Sequence, residues 1–110
     1  MRIWTQVFSS RERLPNFHQA LRDHLNSAAE PGAQVEVHGT RKGGLGEQFR
    51  FFESIDTRDI IDSILTCKGT KGDQPYDAFV IVNSIDPGLY EAREVLEIPV
   101  LGFLETAAVF

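Results

Sequence analysis

The hydrophobic positions of the chain form four short apolar segments that are separated by longer amphipathic stretches. These segments are rich in β-branched and aromatic residues, which favours strands at residues 3–8, 35–38, 78–82 and 98–103. The third segment is a continuous apolar run, and such runs are typical of a central parallel strand that is buried on both faces. We therefore expect Val80, Ile81 and Val82 to be almost fully buried.

Helical spacing predicts helices between the strands. Apolar residues recur at intervals of three and four after the first strand, with Pro15 in the first turn and Pro31-Gly32 beyond the end. A second helix is predicted to begin at Asp56, because Asp56 and Asp59 have the spacing of a capping box, and to end at Lys68-Gly69. The buried side of the first helix is expected to carry Leu14, Phe17, Leu21, Leu25 and Ala28.

The order of these elements predicts the fold. Asp86 and Pro87 are expected to be the N-cap and the first residue of a third helix, and residues 105–110 begin a fourth. Alternating strands and helices predict an α/β domain with a parallel sheet and right-handed crossovers. The expected architecture is a three-layer αβα sandwich over residues 1–110, with a four-stranded sheet in the order 2-1-3-4.

Composition and charge exclude several classes of protein. The 11 Lys and Arg residues are outnumbered by 16 Asp and Glu residues, which gives a net charge of −5 without a basic cluster. Neither nucleic acid nor an anionic membrane is therefore expected as a partner. The sequence has no run of 18 apolar residues and no apolar leader segment, so we expect a cytoplasmic protein. The single cysteine cannot form an internal disulfide, and no residue spacing predicts a metal site.

Polar residues stand where the predicted strands end, and ligands of open parallel α/β sheets bind beyond the carboxyl ends of the strands. The glycine-rich residues 39–53 are expected to form a flexible functional loop or a mobile excursion, but Gly43-Gly44-Leu45-Gly46 lacks the lysine of a phosphate-binding loop. Glu105 and Thr106 could equally cap the last helix. The residues predicted to contact a ligand are Gln6, His38, Asn83, Ser84, Glu105 and Thr106.

Two motifs in the second half of the chain carry a family resemblance. They are Asp86-Pro87-Gly88-Leu89 with the following Ala92-Arg93-Glu94, and Ile98-Pro99-Val100-Leu101-Gly102 with Glu105-Thr106. With them the chain resembles the aspartate/glutamate/hydantoin racemase family, and Arg2–Gln6 and residues 35–39 are similar to its hydantoin-racemase branch. The resemblance implies two similar α/β lobes with the active site in the cleft between them. This sequence would supply the N-terminal lobe.

The resemblance also implies a chemistry, namely cofactor-independent proton transfer at a carbon next to a carbonyl group. One cysteine from each lobe acts as acid or base, since a thiolate can form near neutral pH when its surroundings lower its pKa. In the family the first-lobe cysteine stands three residues before the aspartate of the Asp-Pro-Gly motif, and here that position is Asn83. An amide neither gains nor loses a proton in this range, so we expect the isolated lobe to lack racemase activity. Cys67 is expected to be a packing residue rather than a substitute.

The implied partners are a small-molecule carboxylate or ureide, and a second lobe or a second copy of the chain, without a cofactor. The apolar residues 107–110 favour an incomplete unit, and a homodimer with Phe103 and Leu104 near the contact is expected. Two other interpretations stay open. One is a non-catalytic small-molecule-binding or interaction domain that keeps the racemase fold. The other is a flavodoxin-like or response-regulator-like module, although no acidic cluster follows the first strand.

Overall fold

The computed structural model describes residues 1–41, 50–69, 75–83 and 85–109, with side chains for all of these except residues 50, 52, 53, 56 and 109. Strands and helices alternate along the chain. The elements are β1 (Arg2–Gln6), α1 (Pro15–Ala28), β2 (Gln34–His38), α2 (Arg50–Gly69), β3 (Ala78–Ile81), α3 (Leu89–Val95), β4 (Val100–Gly102) and α4 (Phe103–Val109).

The four strands form one parallel sheet in the order β2-β1-β3-β4, which confirms the predicted order. The chain passes from β1 to β2 at one edge of the sheet. It then crosses back over β1 to β3 and continues to β4 at the other edge. Because parallel crossovers are right-handed, α1 lies on one face of the sheet and α2 and α3 lie on the other. The structure is therefore the α/β sandwich that the alternation predicts.

The main hydrophobic core lies between the sheet and the two helices that share a face. Trp4 pairs with Phe79 in the parallel register, so both side chains leave the sheet on this face. Phe79 and Ile81 are fully buried, as is Ile60 of α2. Leu89 and Ala92 of α3 belong to the same buried cluster.

The opposite face of the sheet is covered less completely, which corrects the expectation for β3. Ile81 is fully buried, but Val80 and Val82 are only half-buried. Val80 pairs with Leu101 on β4, and the Leu101 side chain is 48% exposed. An apolar run therefore did not require burial on both faces, because its alternate side chains point to a face that the helices leave partly open.

Helix α1 packs on the edge strand β2 through a side-chain amide. Asn26 Nδ2 donates to the Val35 carbonyl, and the Val35 N–H donates to Asn26 Oδ1, both at 2.9 Å. This pair satisfies backbone groups that an edge strand would otherwise leave open.

Among the residues that the structure describes, no helix is long and apolar enough to cross a membrane.

The buried stripe of α1 differs from the predicted one. Pro15 stands at the first helical position as predicted. However, Leu14 and Phe17 are about half exposed, while His18 is buried. Leu21 and Leu25 follow His18 at intervals of three and seven, so the stripe that faces the sheet runs through the histidine.

Helix α2 begins earlier than the capping-box pattern predicts. It starts at Arg50, so Asp56 lies inside the helix and is not its N-cap, and residues 50–53 are helical rather than part of a loop. No glycine or proline stands between Arg50 and Ile55, so nothing in the sequence stops the helix from extending. The end at Gly69 agrees with the prediction. Most of the predicted glycine-rich loop, residues 42–49, lies outside the described residues.

Candidate functional site

The strand order places a topological switch point between β1 and β3, whose connections leave in opposite directions. Three segments meet at the carboxyl edge of the sheet around this point. They are the loop that follows β1, the turn that follows β3, and the start of α4 after β4. Below we call the space between them the crevice.

Asn83 lies in the turn that follows β3, and its side chain shapes that turn. Asn83 Oδ1 accepts a hydrogen bond from the Ile85 N–H at 3.1 Å, and the Asn83 carbonyl accepts one from the Asp86 N–H at 3.3 Å. The first of these bonds is an Asx-turn, which asparagine and aspartate favour. Asn83 is half-buried at the edge of the crevice. Ser84, the other predicted contact in this turn, lies outside the described residues.

Asp86 does not cap α3, which corrects the prediction from the Asp-Pro-Gly motif. The N-cap of α3 is Gly88, in a left-handed conformation with φ of 82°. Asp86 instead caps α4, since its carboxylate accepts hydrogen bonds from the N–H groups of Leu104 and Glu105, at 3.0 and 2.8 Å. Helix α4 accordingly begins at Phe103, two residues before the predicted start.

The Asp86 carboxylate joins two of the three segments that form the crevice. It sits directly over Gly102, where a Cβ atom would overlap Asp86 Oδ2 and lie 2.5 Å from Cγ. Asp86 itself has a φ of 50°, a left-handed conformation that aspartate tolerates better than most residues. The turn after β3 is therefore held at a fixed distance from the start of α4.

Glu105 forms an ion pair with Arg93 at the mouth of the crevice. Arg93 holds its two carboxylate oxygens with two nitrogens, at 2.9 and 2.7 Å, and also donates to the Val100 carbonyl. The hydrogen bonds from Arg93 lower the pKa of Glu105, so it remains a carboxylate and is not a proton donor near neutral pH. Thr106, one residue further along α4, is exposed. The structure thus brings Asn83, Glu105 and Thr106 to the same edge.

Gln6 is placed differently from the residues at the crevice mouth. Its side chain is fully buried. The Trp4 indole N–H donates to Gln6 Oε1 at 2.9 Å, and Gln6 Nε2 donates to the Val7 carbonyl at 3.0 Å. In this arrangement Gln6 orients the Trp4 ring from inside the core and does not face solvent.

His38 lies at the end of β2, on the far side of β1 from Asn83. Two strand spacings separate the ends of β2 and β3, which is about 10 Å. The His38 ring stacks on Trp4, with ring centroids 3.5 Å apart and planes within 7°. Burial lowers the pKa of His38, although Glu36 Oε1 lies 3.7 Å from its Nε2. The structure therefore does not bring His38 together with Asn83 and Glu105.

His18 is a buried polar residue near the carboxyl ends of β1 and β2, and the sequence analysis missed it. Its Nε2 lies 2.9 Å from Ser9 Oγ and 3.1 Å from the Ser9 carbonyl oxygen, and its Nδ1 has no hydrogen-bond partner in the described part of the chain. Gly39 passes so close that a Cβ atom there would overlap the Ser9 carbonyl oxygen. Without a carboxylate on Nδ1, the Ser9–His18 pair lacks the third member of a catalytic triad. The sequence does contain a signal for the burial of His18, because its spacing of three residues from Leu21 places both side chains on the same face of α1.

The buried histidine predicts a loss of stability in mild acid. Burial lowers the pKa of His18 below its ordinary value of 6.5, so the folded state resists protonation more than the unfolded state does. The contribution of neutral His18 to the free energy of unfolding is therefore fully present above pH 6.5. It falls as the pH drops below that value. We expect the urea midpoint to decrease between pH 7.5 and pH 5.5. His18→Gln should reduce this decrease, whereas His24→Gln, at an exposed position of α1, should leave it unchanged.

Cys67 belongs to the hydrophobic core rather than to the crevice. Its side chain is 4% exposed and packs in the same cluster as Ile64 and Tyr76. Burial raises the pKa of its thiol to about 11, so the thiol remains protonated near neutral pH. This placement agrees with the predicted packing role.

The chain is similar to a solved structure described as allantoin racemase from Klebsiella pneumoniae, with a TM-score of 0.77 and 27% identical residues. The similarity covers 97% of this chain and 41% of that chain, so this chain spans about two fifths of its neighbour's length. No protein-family profile matches the sequence, and no curated protein sequence matches it. The chain has an Asp/Glu/hydantoin racemase-like fold, and its sheet and helices match one racemase lobe.

Proposed function

We propose that this chain is the N-terminal lobe of a cofactor-independent isomerase of the amino-acid or hydantoin type, and that residues 1–110 form that lobe as a single domain. The observation that carries this proposal is the racemase-like fold with Asn83 and Asp86 at its crevice. Asn83 stands at the position where the family resemblance expects the first cysteine. The small molecule would bind between this lobe and a second one.

The residues at the crevice can orient a ligand. A side-chain amide both donates and accepts hydrogen bonds, so Asn83 would position a ligand carboxylate or carbonyl group. Thr106 would add a hydroxyl group, and the Glu105 carboxylate would accept an N–H from a ureide. The preferred ligand class is therefore a small carboxylate or a cyclic ureide. Allantoin, the compound in the neighbour's name, is a ureide and is the first ligand to test.

The same residues do not supply a proton-transfer pair. The two-base racemisation that the family resemblance implies requires one group to remove the α-proton and another to return a proton on the opposite face. Asn83 does not titrate, and the single thiol of the chain is buried with a pKa of about 11. We therefore propose that the isolated lobe binds its ligand but does not racemise it.

A single free cysteine fits a reducing compartment, and we propose that the protein is located in the cytoplasm.

A second lobe, or a second copy of this chain, would complete the binding site. Three large apolar side chains are about half exposed where β4 meets α4, and we call them the β4–α4 patch: Leu101, Phe103 and Leu104. Large exposed apolar groups that lie close together are typical of an interaction surface. We propose that a second copy covers this patch in a homodimer.

Hydrogen exchange at the substrate α-carbon tests the proposed lack of activity. The purified chain is incubated in D₂O with allantoin, hydantoin or L-glutamate, and deuterium incorporation is followed by NMR. We expect no incorporation above the buffer rate. Asn83→Cys alone should not racemise a single enantiomer of the ligand, followed by optical rotation, because the group on the opposite face is still missing. Exchange above background in the unmodified chain would contradict the proposed inactivity.

Ligand binding tests the proposed role of the crevice. Allantoin should perturb the amide resonances of Asn83 and Thr106 in a ¹H–¹⁵N titration. Asn83→Asp keeps an oxygen acceptor for the Ile85 N–H but replaces the amide donor by a negative charge, so it should weaken binding about tenfold. Asn16→Asp, at an exposed position in the first turn of α1, is the matched control. Equal effects of the two substitutions would remove Asn83 from the binding site.

A non-catalytic binding domain is the second candidate function. The specific observation in its favour is that neither Asn83 nor the buried Cys67 can act as the thiol base that the family chemistry uses. The two candidates differ when the second lobe is present. Exchange by the complete assembly would support the isomerase, whereas ligand binding without exchange would support the binding domain.

A further inference from the structure

A cavity of about 900 Å³ lies between the carboxyl end of β2 and helix α2, and the residues that line it include none from the described part of the turn after β3 or of α4. Its wall on the sheet side includes Trp4 and His38, and its other wall includes Asp59 and Asp62 of α2. A volume of this size accommodates a small organic molecule. Nothing in the proposed isomerase function requires this cavity.

Three arginines line the walls of the cavity. Arg11 comes from the loop after β1, Arg41 follows β2, and Arg58 comes from α2, so three separate elements contribute an arginine. All three are exposed and make no ion pair with a carboxylate of the described residues. By contrast, three other arginines have carboxylate partners: Arg2 with Glu36, Arg22 with Asp23, and Arg93 with Glu105.

This distribution is unusual for the chain as a whole. The net charge is −5, so carboxylates outnumber the available cations. Among the arginines whose side chains the structure describes, the unpaired ones are Arg11, Arg13, Arg41 and Arg58, and all except Arg13 line the cavity. Guanidinium groups that converge on a concave surface form a site for an oxyanion, since each offers several N–H donors in one plane.

The aromatic side of the cavity and the acids on α2 narrow the ligand class. The partly exposed His38 ring, which is held in place by stacking on the buried Trp4 ring, provides a rigid surface against which an organic body can pack. Asp59 and Asp62 offset two of the three positive charges, so the cavity would hold one or two negative charges rather than a highly charged polyanion. These features favour a small organic molecule with one oxyanion group.

We propose that this cavity binds a small organic oxyanion, a carboxylate or a phosphate ester, through Arg11, Arg41 and Arg58 against the Trp4–His38 stack. The site does not include Asn83, although the loop after β1 borders both the cavity and the crevice, and it goes beyond the proposed isomerase function. It gives the lobe a second ligand, which it can bind without a partner chain.

Trp4 provides a direct measurement of binding, because it is the only tryptophan of the chain and it lines the cavity. The full chain is titrated with acetate, benzoate and ribose 5-phosphate at constant ionic strength, and tryptophan fluorescence is recorded. We expect a saturable change with at least one of these probes. Binding of acetate or benzoate alone would assign a carboxylate site, and binding of ribose 5-phosphate alone would assign a phosphate ester site.

Substitution of single arginines tests which groups hold the anion. Arg11→Gln, Arg41→Gln and Arg58→Gln should each raise the Kd about tenfold. Arg13→Gln is the matched control, because Arg13 is exposed, forms no ion pair with the described residues and does not line the cavity, and it should change the Kd less than twofold. Near-UV circular dichroism confirms that each variant keeps its fold. Equal Kd values for all four variants, or a fluorescence change that never saturates, would overturn the proposal.

Discussion

Gly102→Ala is expected to lower the free energy of unfolding by about 2–4 kcal/mol. A Cβ atom at this position would occupy the space of the Asp86 carboxylate. The carboxylate would have to move away, which breaks its hydrogen bonds to the N–H groups of Leu104 and Glu105. Overpacking costs about 1–3 kcal/mol, and the loss of hydrogen bonds to a charged group adds to this. Urea denaturation should show a lower midpoint with an unchanged m-value.

Two further variants separate this effect from the general cost of removing a glycine. Gly69→Ala is the matched control, because a Cβ atom at Gly69 would meet nothing within 4 Å, and its stability should change by less than about 0.5 kcal/mol. Asp86→Ala removes the group that Gly102 accommodates. If the explanation is correct, Gly102→Ala costs at least about 1 kcal/mol less in the Asp86→Ala background. Additive effects of the two substitutions would show that the carboxylate is not the cause.

The Asp86 carboxylate also illustrates which part of the site could be predicted from the sequence. The Asp-Pro-Gly motif has the local pattern of a helix N-cap, and local patterns identify partners within a few residues. The groups that Asp86 actually binds lie 18 and 19 residues further along the chain. No rule of spacing connects such positions. The location of Asn83 and Glu105 at the carboxyl edge was predictable from strand order, whereas the link between their segments was not.

The sheet itself was predictable because its causes are local and general. Short apolar segments separated by helical spacing, together with right-handed crossovers, leave few parallel arrangements. The burial of individual side chains was harder to predict, since it depends on how far the helices cover each face. Val80 and Phe17 are apolar and yet partly exposed, whereas His18 is polar and buried because Ser9 offers it hydrogen-bonding groups. A periodicity that counts only apolar residues does not include such a histidine.

The chain is expected to associate into a dimer through the β4–α4 patch. Leu101, Phe103 and Leu104 are 48%, 55% and 49% exposed, and burying the exposed half of such side chains contributes about 1 kcal/mol each. β4 is also an edge strand of the sheet, so its outer backbone groups are not paired within the sheet. Sedimentation velocity over a range of concentrations should show a mass that rises from 12.4 kDa toward twice that value.

Substitutions in the patch distinguish this dimer from nonspecific association. Leu101→Asn with Phe103→Asn should weaken dimerisation at least tenfold, because about 2 kcal/mol of apolar burial is lost and two polar side chains must be desolvated. Leu65→Asn is the matched control, since Leu65 on α2 is 54% exposed and lies outside the patch. An equal effect of both changes would indicate nonspecific association. A monomer at every concentration would mean that this patch does not bind a second copy of the chain, and a separate second lobe would then be the partner to test against it.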